Sequence, residues 1–464
     1  MKDATNPMNP DDVIATTEVI IIGGGIAGLT AARELQTKFN YNVIVLEARN
    51  RIGGRIHSDS SSFGSTNTTI DLGAAWIHGY SRENPLYKIV KECNAKTFHT
   101  DDDNIIFYNG DTGEIVNEVD KAHDLFETLL KNASKFADKK EKDVSLYSAL
   151  EKSSFRNNGG DDVFQTPLIQ FQLSSYIEYD FGASSKELSA WYYDDDKAYK
   201  GGDVLLPHRG YSQLVEYISK NIRIDKEVVV TSIDYSGKSK PNRGSGGDGG
   251  AIIHTNRGMY KARYVICTLP IGILQTQDVI FHPALPIAKT NAIHRLGSGL
   301  VNKVILQFDT CFWPPSIQYF GICHNTPSKY SYFMNCKSQR NILQTVILGN
   351  DAKVVEQQTD EEIQSDIMII LRRIFQHTNT KSDVIPNPTQ MLVTRWGQDI
   401  YSRGSYSYNK VGATKHDFTM ISKSVNNVLY FAGEHTCREY RGSVHGAYMS
   451  GIRVSKEVWD DDDD

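Results

Sequence analysis

Four uninterrupted apolar runs organise this chain. Glu18-Val-Ile-Ile-Ile22 is followed at once by glycines, and Asn42-Val-Ile-Val-Leu46 ends at Glu47. Tyr264-Val-Ile-Cys-Thr-Leu269 is stopped by Pro270, and Asn427-Val-Leu-Tyr-Phe-Ala432 ends at Gly433-Glu434. Continuous runs rich in β-branched residues read as strands buried on both faces, as in a parallel sheet covered by helices. Between the first two, Ile26 to Phe39 gathers Ala and Leu on one face and predicts a helix, completing a βαβ unit. Val228–Tyr235 and Ala251–Thr255 predict a hairpin, with a glycine-rich, mobile tip at Ser236–Gly250. More polar, helical material is expected over roughly 115–220 and 355–380.

Composition narrows the class. At 464 residues the chain exceeds one core of ordinary size, so two intertwined domains are expected. Hydrophobic residues at 40% and charged residues at 23% suit a soluble globular protein. The formal charge of −6 leaves no basic footprint for nucleic acid and is compatible with a cationic substrate. Six cysteines lack CxxC spacing, which argues against a metal cluster or disulfide scaffold and for a reducing compartment. No run reaches the ~18 apolar residues of a membrane span. Without a signal-like apolar core or a Ser-Lys-Leu ending, the cytoplasm is the expected location.

The turn after the first strand carries the first chemistry. Gly23-Gly24-Gly25-Ile26-Ala27-Gly28 fits G-x-G-x-x-G. Its first glycine permits a tight turn, its second lets the backbone approach a pyrophosphate, and its third lets the helix pack close to the sheet. The helix N-terminus offers free N–H groups and a positive dipole end to phosphate. Glu47 lies 47 − 28 = 19 residues further on, at the end of the next strand, where a carboxylate can accept from a ribose diol. The continuation Glu47-Ala-Arg-Asn-Arg-Ile-Gly-Gly-Arg55 adds a second N–H-rich loop and a guanidinium, suited to a diphosphate.

In these residues the chain resembles the flavin-dependent amine oxidase family, which includes polyamine oxidases, monoamine oxidases and lysine-specific histone demethylases. The resemblance extends over almost the whole chain. Asp71-Leu-Gly-Ala-Ala-Trp-Ile-His-Gly79 looks like the segment beneath the flavin ring, and Val230-Thr-Ser-Ile233 like the strand whose valine meets the adenine. Val265 to Leu274 resembles the strand returning to the sheet. Phe431-Ala-Gly-Glu434-His-Thr and Gly442 to Gly451 are similar to the C-terminal FAD signature, in which Glu434 would meet the ribityl chain.

The resemblance implies an α/β fold with a Rossmann-type, glutathione-reductase-like FAD-binding domain and an interleaved α+β substrate-binding domain. The first is expected from 16–100, 205–300 and 395–459, the second from 101–204 and 301–394. Residues 1–15 and the acidic run 460–464 are expected as disordered tails, the latter solvated. FAD contacts are implied at Gly23, Gly25, Ala27, Gly28, Glu47, Ala48, Arg49, Gly54, Arg55, Gly73, Ala74, Trp76, Val230, Trp396, Gly433, Glu434, Ser443 and Val444. Ser405 stands where monoamine oxidases carry the cysteine that links FAD covalently, so non-covalent FAD is implied, and no metal.

The chemistry implied is oxidation of an amine, with the flavin accepting a hydride, the imine hydrolysing, and O2 regenerating the flavin to give H2O2. Lys303, inside Leu300-Val-Asn-Lys-Val-Ile305, resembles the family lysine whose ammonium holds a water beside flavin N5. Buried, its pKa would fall, allowing it to relay protons. His78 matches a position where polyamine oxidases carry His or Glu near the substrate, able to hydrogen-bond or deprotonate a nitrogen. Of the two tyrosines that frame a monoamine substrate, Tyr406 matches one, whereas Ser443 stands at the other, which weakens a monoamine assignment. Trp76 is expected to contribute to the same substrate site. Asp180 matches a tunnel carboxylate and Asp194, Asp195 and Asp196 follow it; such a series could hold a polycation at several points. The expected substrate is therefore spermine, spermidine or an acetylated form. The alternatives are another flavin amine oxidase, acting on monoamines or methyl-lysine, and a non-catalytic FAD scaffold.

Overall fold

The apolar runs pair with one another. The computed structural model describes residues 12–63, 69–156, 159–237, 250–324, 329–337, 341–376 and 385–463, so residues 238–249 of the expected hairpin tip lie outside it. Strand Val13–Ile22 lies parallel to Val43–Glu47 on one side and to Gly258–Cys267 on the other. Arg223–Lys226 extends the first edge, and Leu429–Phe431 joins the far half of Gly258–Cys267, also in parallel. The hairpin Val230–Asp234/Ala251–Thr255 and the strand Ile280–His282 complete an eight-stranded sheet.

Alternation explains why these strands carry no polar face. Val19 and Ile21 point into one apolar core, with helices Ile26–Lys38 and Val444–Asp463, while Ile20 and Ile22 point into another. That second core is roofed by Ala292 and Ile293 of helix Ile287–Arg295 and by Phe418 and Ile421 of helix Lys415–Ser422. The two-layer cover makes a single-sided polar pattern impossible.

A second, six-stranded sheet runs in the order Gln390–Val393, Val301–Gln307, Ile342–Leu348, Tyr332–Asn335, Tyr319–Cys323, Ile105–Asn109. It is antiparallel except for the last pair. Helix Asp360–Phe375, started by a capping box between Thr359 and Glu362, buries Ile363, Ile367, Leu371 and Ile374 against it. Helices Val119–Ala137 and Leu146–Ser153 build a separate apolar cluster around Phe126 and Phe164. Among the described residues no helix is long and apolar enough to cross a membrane.

Both expected tails need correction. The first strand begins at Val13, not near residue 16, because its ten-residue neighbour Gly258–Cys267 offers partners as far as Met259 and Tyr260. Residues 1–11 lie outside the described residues. The acidic run 460–464 does not form a disordered tail over Asp460–Asp463, which continue the helix that starts at Val444, while Asp464 lies outside the described residues. Asp462 accepts from Arg263 at 2.5 Å, Tyr264 at 2.8 Å and Tyr41 at 2.6 Å, and Asp461 accepts from Tyr430 at 2.7 Å. Charge density suggested solvation; four donors in and beside the first sheet supply partners to Asp461 and Asp462 instead.

Candidate active site

One cavity of about 1210 Å³ runs between the ends of the first sheet and the strand Val301–Gln307. Every residue expected to touch FAD or substrate lines it except Gly28 and Asp195. Gly28 lies beneath the floor, where a Cβ would come within 2.1 Å of the Gly23 carbonyl oxygen. That close approach is what the third glycine of the motif permits.

The nucleotide end is built from backbone. Gly25 caps helix Ile26–Lys38 without a side-chain hydrogen bond, so the first N–H groups remain free at the cavity wall. Gly25 bridges to Gly53, which brings the second glycine loop alongside the first. The buried Glu47 carboxylate accepts Gly24 N–H on one oxygen and Arg49 N–H on the other, both at 2.8 Å. Burial raises its pKa against the pull of those two bonds. Each oxygen keeps a lone pair for a ribose hydroxyl, so the expected contact and the locking of the loop are compatible. Arg49 itself forms a bidentate pair with Asp399 at 2.9 and 2.6 Å and offers its backbone and stem to the cavity wall. Ala48 and Val230 line the same end.

Towards the middle, Arg55 Nη1 donates to Glu434 Oε1 at 2.9 Å and to the Ser405 carbonyl at 2.8 Å. Glu434 Oε2 takes Gly442 N–H at 2.9 Å and the Ser407 hydroxyl at 2.6 Å. Burial opposes the Glu434 charge, but Arg55, His435 and Ser407 outweigh it and hold the pKa below the ordinary value. Glu434 thus ties the closing signature to the second glycine loop. Only Oε1 retains free acceptor capacity for a ribityl hydroxyl. The Ser443 hydroxyl donates to the Tyr440 carbonyl and accepts Gly446 N–H at 3.0 Å, capping helix Val444–Asp463. A second helix N-terminus, with Val444, therefore faces the cavity.

The fit to FAD is specific. A Cβ at Gly73 would stand 1.8 Å from the Arg55 carbonyl oxygen and 3.3 Å from Trp396, so the segment Asp71–Gly79, which lines the cavity, packs directly on the second glycine loop there. Trp396 is fixed by its own indole N–H on the Leu72 carbonyl at 3.1 Å. Two helix N-termini, two glycine loops and a ribose-facing carboxylate match the phosphates and sugars of a dinucleotide.

Lys303 is buried at the other end of that segment. Its Nζ donates to the carbonyls of Asp71 at 2.8 Å and Gly73 at 2.7 Å and lies 5.5 Å from the centre of the Trp76 ring. Burial pulls its pKa down to about 8, with Asp71 and Cys336 opposing.

A sequence comparison decides the family. The model of the family described as flavin containing amine oxidoreductase matches residues 26–459. The chain belongs to the flavin-containing amine oxidoreductases. Polyamine oxidase 2 of Arabidopsis thaliana is 32% identical over 95% of this chain and 87% of its own length. Polyamine oxidase 4 of rice (Oryza sativa subsp. japonica) is 33% identical over 95% and 88%. Lysine-specific histone demethylase 1 homolog 3 of Oryza sativa subsp. indica is 32% identical over 97% of this chain but only 55% of its own length. A putrescine oxidase redesigned for cofactor binding shares the fold, with a TM-score of 0.74 at 17% identity, covering 96% of this chain and 99% of that one. The flavin amine oxidase binds FAD, and Ser405, whose hydroxyl is engaged with Val301 N–H at 2.8 Å and the Val301 carbonyl at 3.0 Å, offers no thiol for a covalent link.

In this amine oxidase the substrate side of the cavity gathers acids. His78 Nδ1 meets Asp203 Oδ2 at 2.5 Å. The ring is 62% open, but it opens onto the cavity whose wall it forms. Burial works against its charge, yet Asp203, Asp180 and Asp102 together raise its pKa above 6.5. Asp180 sits just after a π-helical turn, Leu173–Glu178, that re-aims the chain towards the cavity. Burial pushes its pKa up to about 6, with His78 opposing. Tyr406 lines the wall and donates to the Tyr179 carbonyl at 3.0 Å.

Of the acidic triplet, Asp195 pairs with Arg438 at 2.8 Å and Lys415 at 3.3 Å and does not line the cavity. Asp196 pairs with Arg441 at 3.1 Å, leaving Asp194 as the cavity-lining member without a salt bridge among the described pairs. The reading of three tunnel carboxylates therefore shrinks, because two of them serve the protein's own cations.

Sequence reasoning missed Asp203 and an aromatic group. Tyr199 and Tyr440 stack at 4.7 Å with an interplanar angle of 4°, and His445 stands edge-on to both at 5.3 and 5.2 Å. All three line the cavity. Tyr440 and His445 flank Ser443 in sequence, so the wall missing from the Tyr406/Ser443 pair had a signal in the neighbouring residues. Asp203 had none.

Proposed function

We propose that this flavin amine oxidase is a polyamine oxidase. The observation that carries the reading is the set of carboxylates lining the cavity, with Asp180 and Asp203 near His78 and Asp194 apart from them. Carboxylates at separate points suit a chain with several ammonium groups; a single-amine substrate needs one. The match to two plant proteins named as polyamine oxidases, over 95% of this chain, supports the same reading.

Bound FAD supplies the two-electron acceptor for the C–H bond next to the reacting nitrogen, and O2 regenerates it. The chain's own groups do the rest. Asp180 and Asp194 hold distal ammonium groups, and the tyrosines Tyr199, Tyr406 and Tyr440 flank the methylene chain. Trp76 and the pinned segment Asp71–Gly79 fix the floor against which the amine aligns. Two of the three Lys303 N–H bonds are spent on Asp71 and Gly73, which leaves the third for a water or substrate atom in the cavity. The products are an aldehyde, a shorter amine and H2O2.

A steady-state panel of spermine, spermidine, N-acetylspermine, benzylamine and a dimethyl-lysine peptide, with products identified by mass, tests the reading. Turnover of one or more of the first three is expected to exceed that of the others. Efficient turnover of benzylamine or the peptide alone would overturn it.

A further inference from the structure

Trp76–Ile77 pairs antiparallel with Val204–Leu205 in the register Trp76↔Leu205 and Ile77↔Val204. The next step of that ladder sets His78 opposite Asp203, although 125 residues separate them. Asp203 uses both oxygens there. Oδ1 accepts Gly79 N–H at 2.9 Å, which fixes the carboxylate, and Oδ2 meets His78 Nδ1. The carboxylate in turn selects the tautomer with the proton on Nδ1, so Nε2 is the nitrogen left with a lone pair for the cavity.

We propose that Asp203 is a positioning residue for amine oxidation, holding His78 as the base that takes the proton from the ammonium form of the substrate nitrogen. The step is R2NH2+ + His78 → R2NH + His78-H+. The ammonium N–H bond breaks, its electron pair stays on nitrogen, the proton goes to Nε2, and the Asp203 charge balances the imidazolium. No electron is transferred. The free amine is the form whose lone pair can assist loss of a hydride from the neighbouring carbon.

The groups around the ring favour this role. Asp203 precedes strand Val204–Leu205, Asp180 comes from the turn Tyr179–Phe181, and Asp102 from the loop before strand Ile105–Asn109, and all three favour the imidazolium. The basic neighbour is His445 on helix Val444–Asp463, whose own pKa is driven down to about 4 by burial and then by His78. It therefore stays neutral and does not oppose proton uptake. Three carboxylates also draw the ammonium in before it is deprotonated. Neutral His78 can accept from it, whereas the imidazolium has only donors.

The inference rests on amine-oxidase chemistry, and on the polyamine reading only for the choice of amine. Two measurements on the FAD-loaded protein test it. One is kcat/KM for spermine against pH; the other is an NMR titration of 13C-labelled histidine in substrate-free protein, the His78 signal being assigned by its loss in His78→Gln. Asp203→Asn keeps an acceptor for Gly79 N–H but removes the charge. It is expected to move both the His78 titration and the acid limb of kcat/KM down by about one unit or more, with a lower kcat on the plateau. Asp203→Glu, which keeps the charge, should retain the limb near its wild-type position. His78→Gln should abolish the limb and lower kcat/KM by about 10²-fold or more. An unmoved His78 titration in Asp203→Asn, or a change in KM with kcat and limb intact, overturns the proposal. If spermine is not oxidised at all, the polyamine reading fails, while the NMR titration still decides whether Asp203 governs His78.

Discussion

Asp462→Ala should destabilise the protein strongly, although it changes a residue in a run of aspartates. The Asp462 side chain is 6% exposed and the Arg263 side chain 8%. Removing one partner of a buried ion pair costs about 3–5 kcal/mol. Glu18 remains 3.7 Å from Arg263, so the lower end applies. Tyr264 and Tyr41 each lose an acceptor as well, at about 1 kcal/mol apiece. The total is on the order of 4–5 kcal/mol. Urea unfolding followed by far-UV circular dichroism would read the loss as a lower midpoint, with Asp460→Ala, at an exposed position, as the control shifting by less than about 0.5 kcal/mol. The pH dependence has a definite sign. Burial opposes the Asp462 charge, but Tyr41, Tyr264 and Arg263 outweigh it and depress its folded pKa below 3.8. Its contribution is therefore complete above 3.8 and lost only as pH falls through that lower value. An Asp462→Ala protein with the wild-type midpoint at pH 7 would refute the reasoning and return the run to solvent.

Three further outcomes follow from the site. Lys303→Met should lower amine turnover sharply. It should also lack a stability gain that wild type makes between pH 8 and 10.5: the unfolded lysine holds its proton to 10.5 and the folded one only to about 8, a difference of about 3 kcal/mol. Urea midpoints at pH 7.5 and 10 would show it, and equal slopes for both proteins would count against a buried ammonium. Asp180→Asn should raise KM for spermine by about tenfold, the value of one charge-assisted contact, with a smaller effect on kcat. Because the Asp180 pKa is near 6, wild-type spermine binding should weaken as pH falls below 6, and the variant should not follow. Gly28→Ala forces a Cβ towards the Gly23 carbonyl, at a cost of about 1–3 kcal/mol, and should leave purified protein with a lower flavin-to-protein absorbance ratio.

The parts of the fold legible in sequence are those fixed by local rules. An apolar run such as Val19–Ile22 announces two covered faces because each successive side chain needs its own core, and the structure supplies two. The glycines at 23 and 28 announce a close-packed turn because a Cβ would come within 2.5 Å of the Thr268 hydroxyl at the first and 2.1 Å of the Gly23 carbonyl at the second, whereas Gly25 leaves its Cβ position open. Lys303 stood out as a cation inside an apolar strand that resembles the family's lysine strand, but its bonds to the Asp71 and Gly73 carbonyls were not legible. The limits were just as physical. Asp461 and Asp462 look solvated in sequence because the donors that bury them lie at Tyr41, Arg263, Tyr264 and Tyr430, none nearer than 31 residues.

The same distinction separates residues that a motif points to from the partners that set their behaviour. Glu434 was identified by its motif as a ribityl contact, yet its four side-chain hydrogen bonds come from three residues, Arg55, Ser407 and Gly442, in strands and loops that only the fold assembles. Ser443 was weighed as a missing aromatic wall, and its hydroxyl proves to cap the helix whose N-terminus faces the cavity. His78 was named without Asp203, because a two-residue ladder leaves no periodic trace in sequence. A motif therefore locates an atom in the site, whereas its protonation state and orientation belong to partners remote in sequence. For this oxidase that means the acid–base behaviour of the amine pocket depends on Asp203, Asp180 and Asp102, three carboxylates from three separate segments, more than on any residue of the flavin signature.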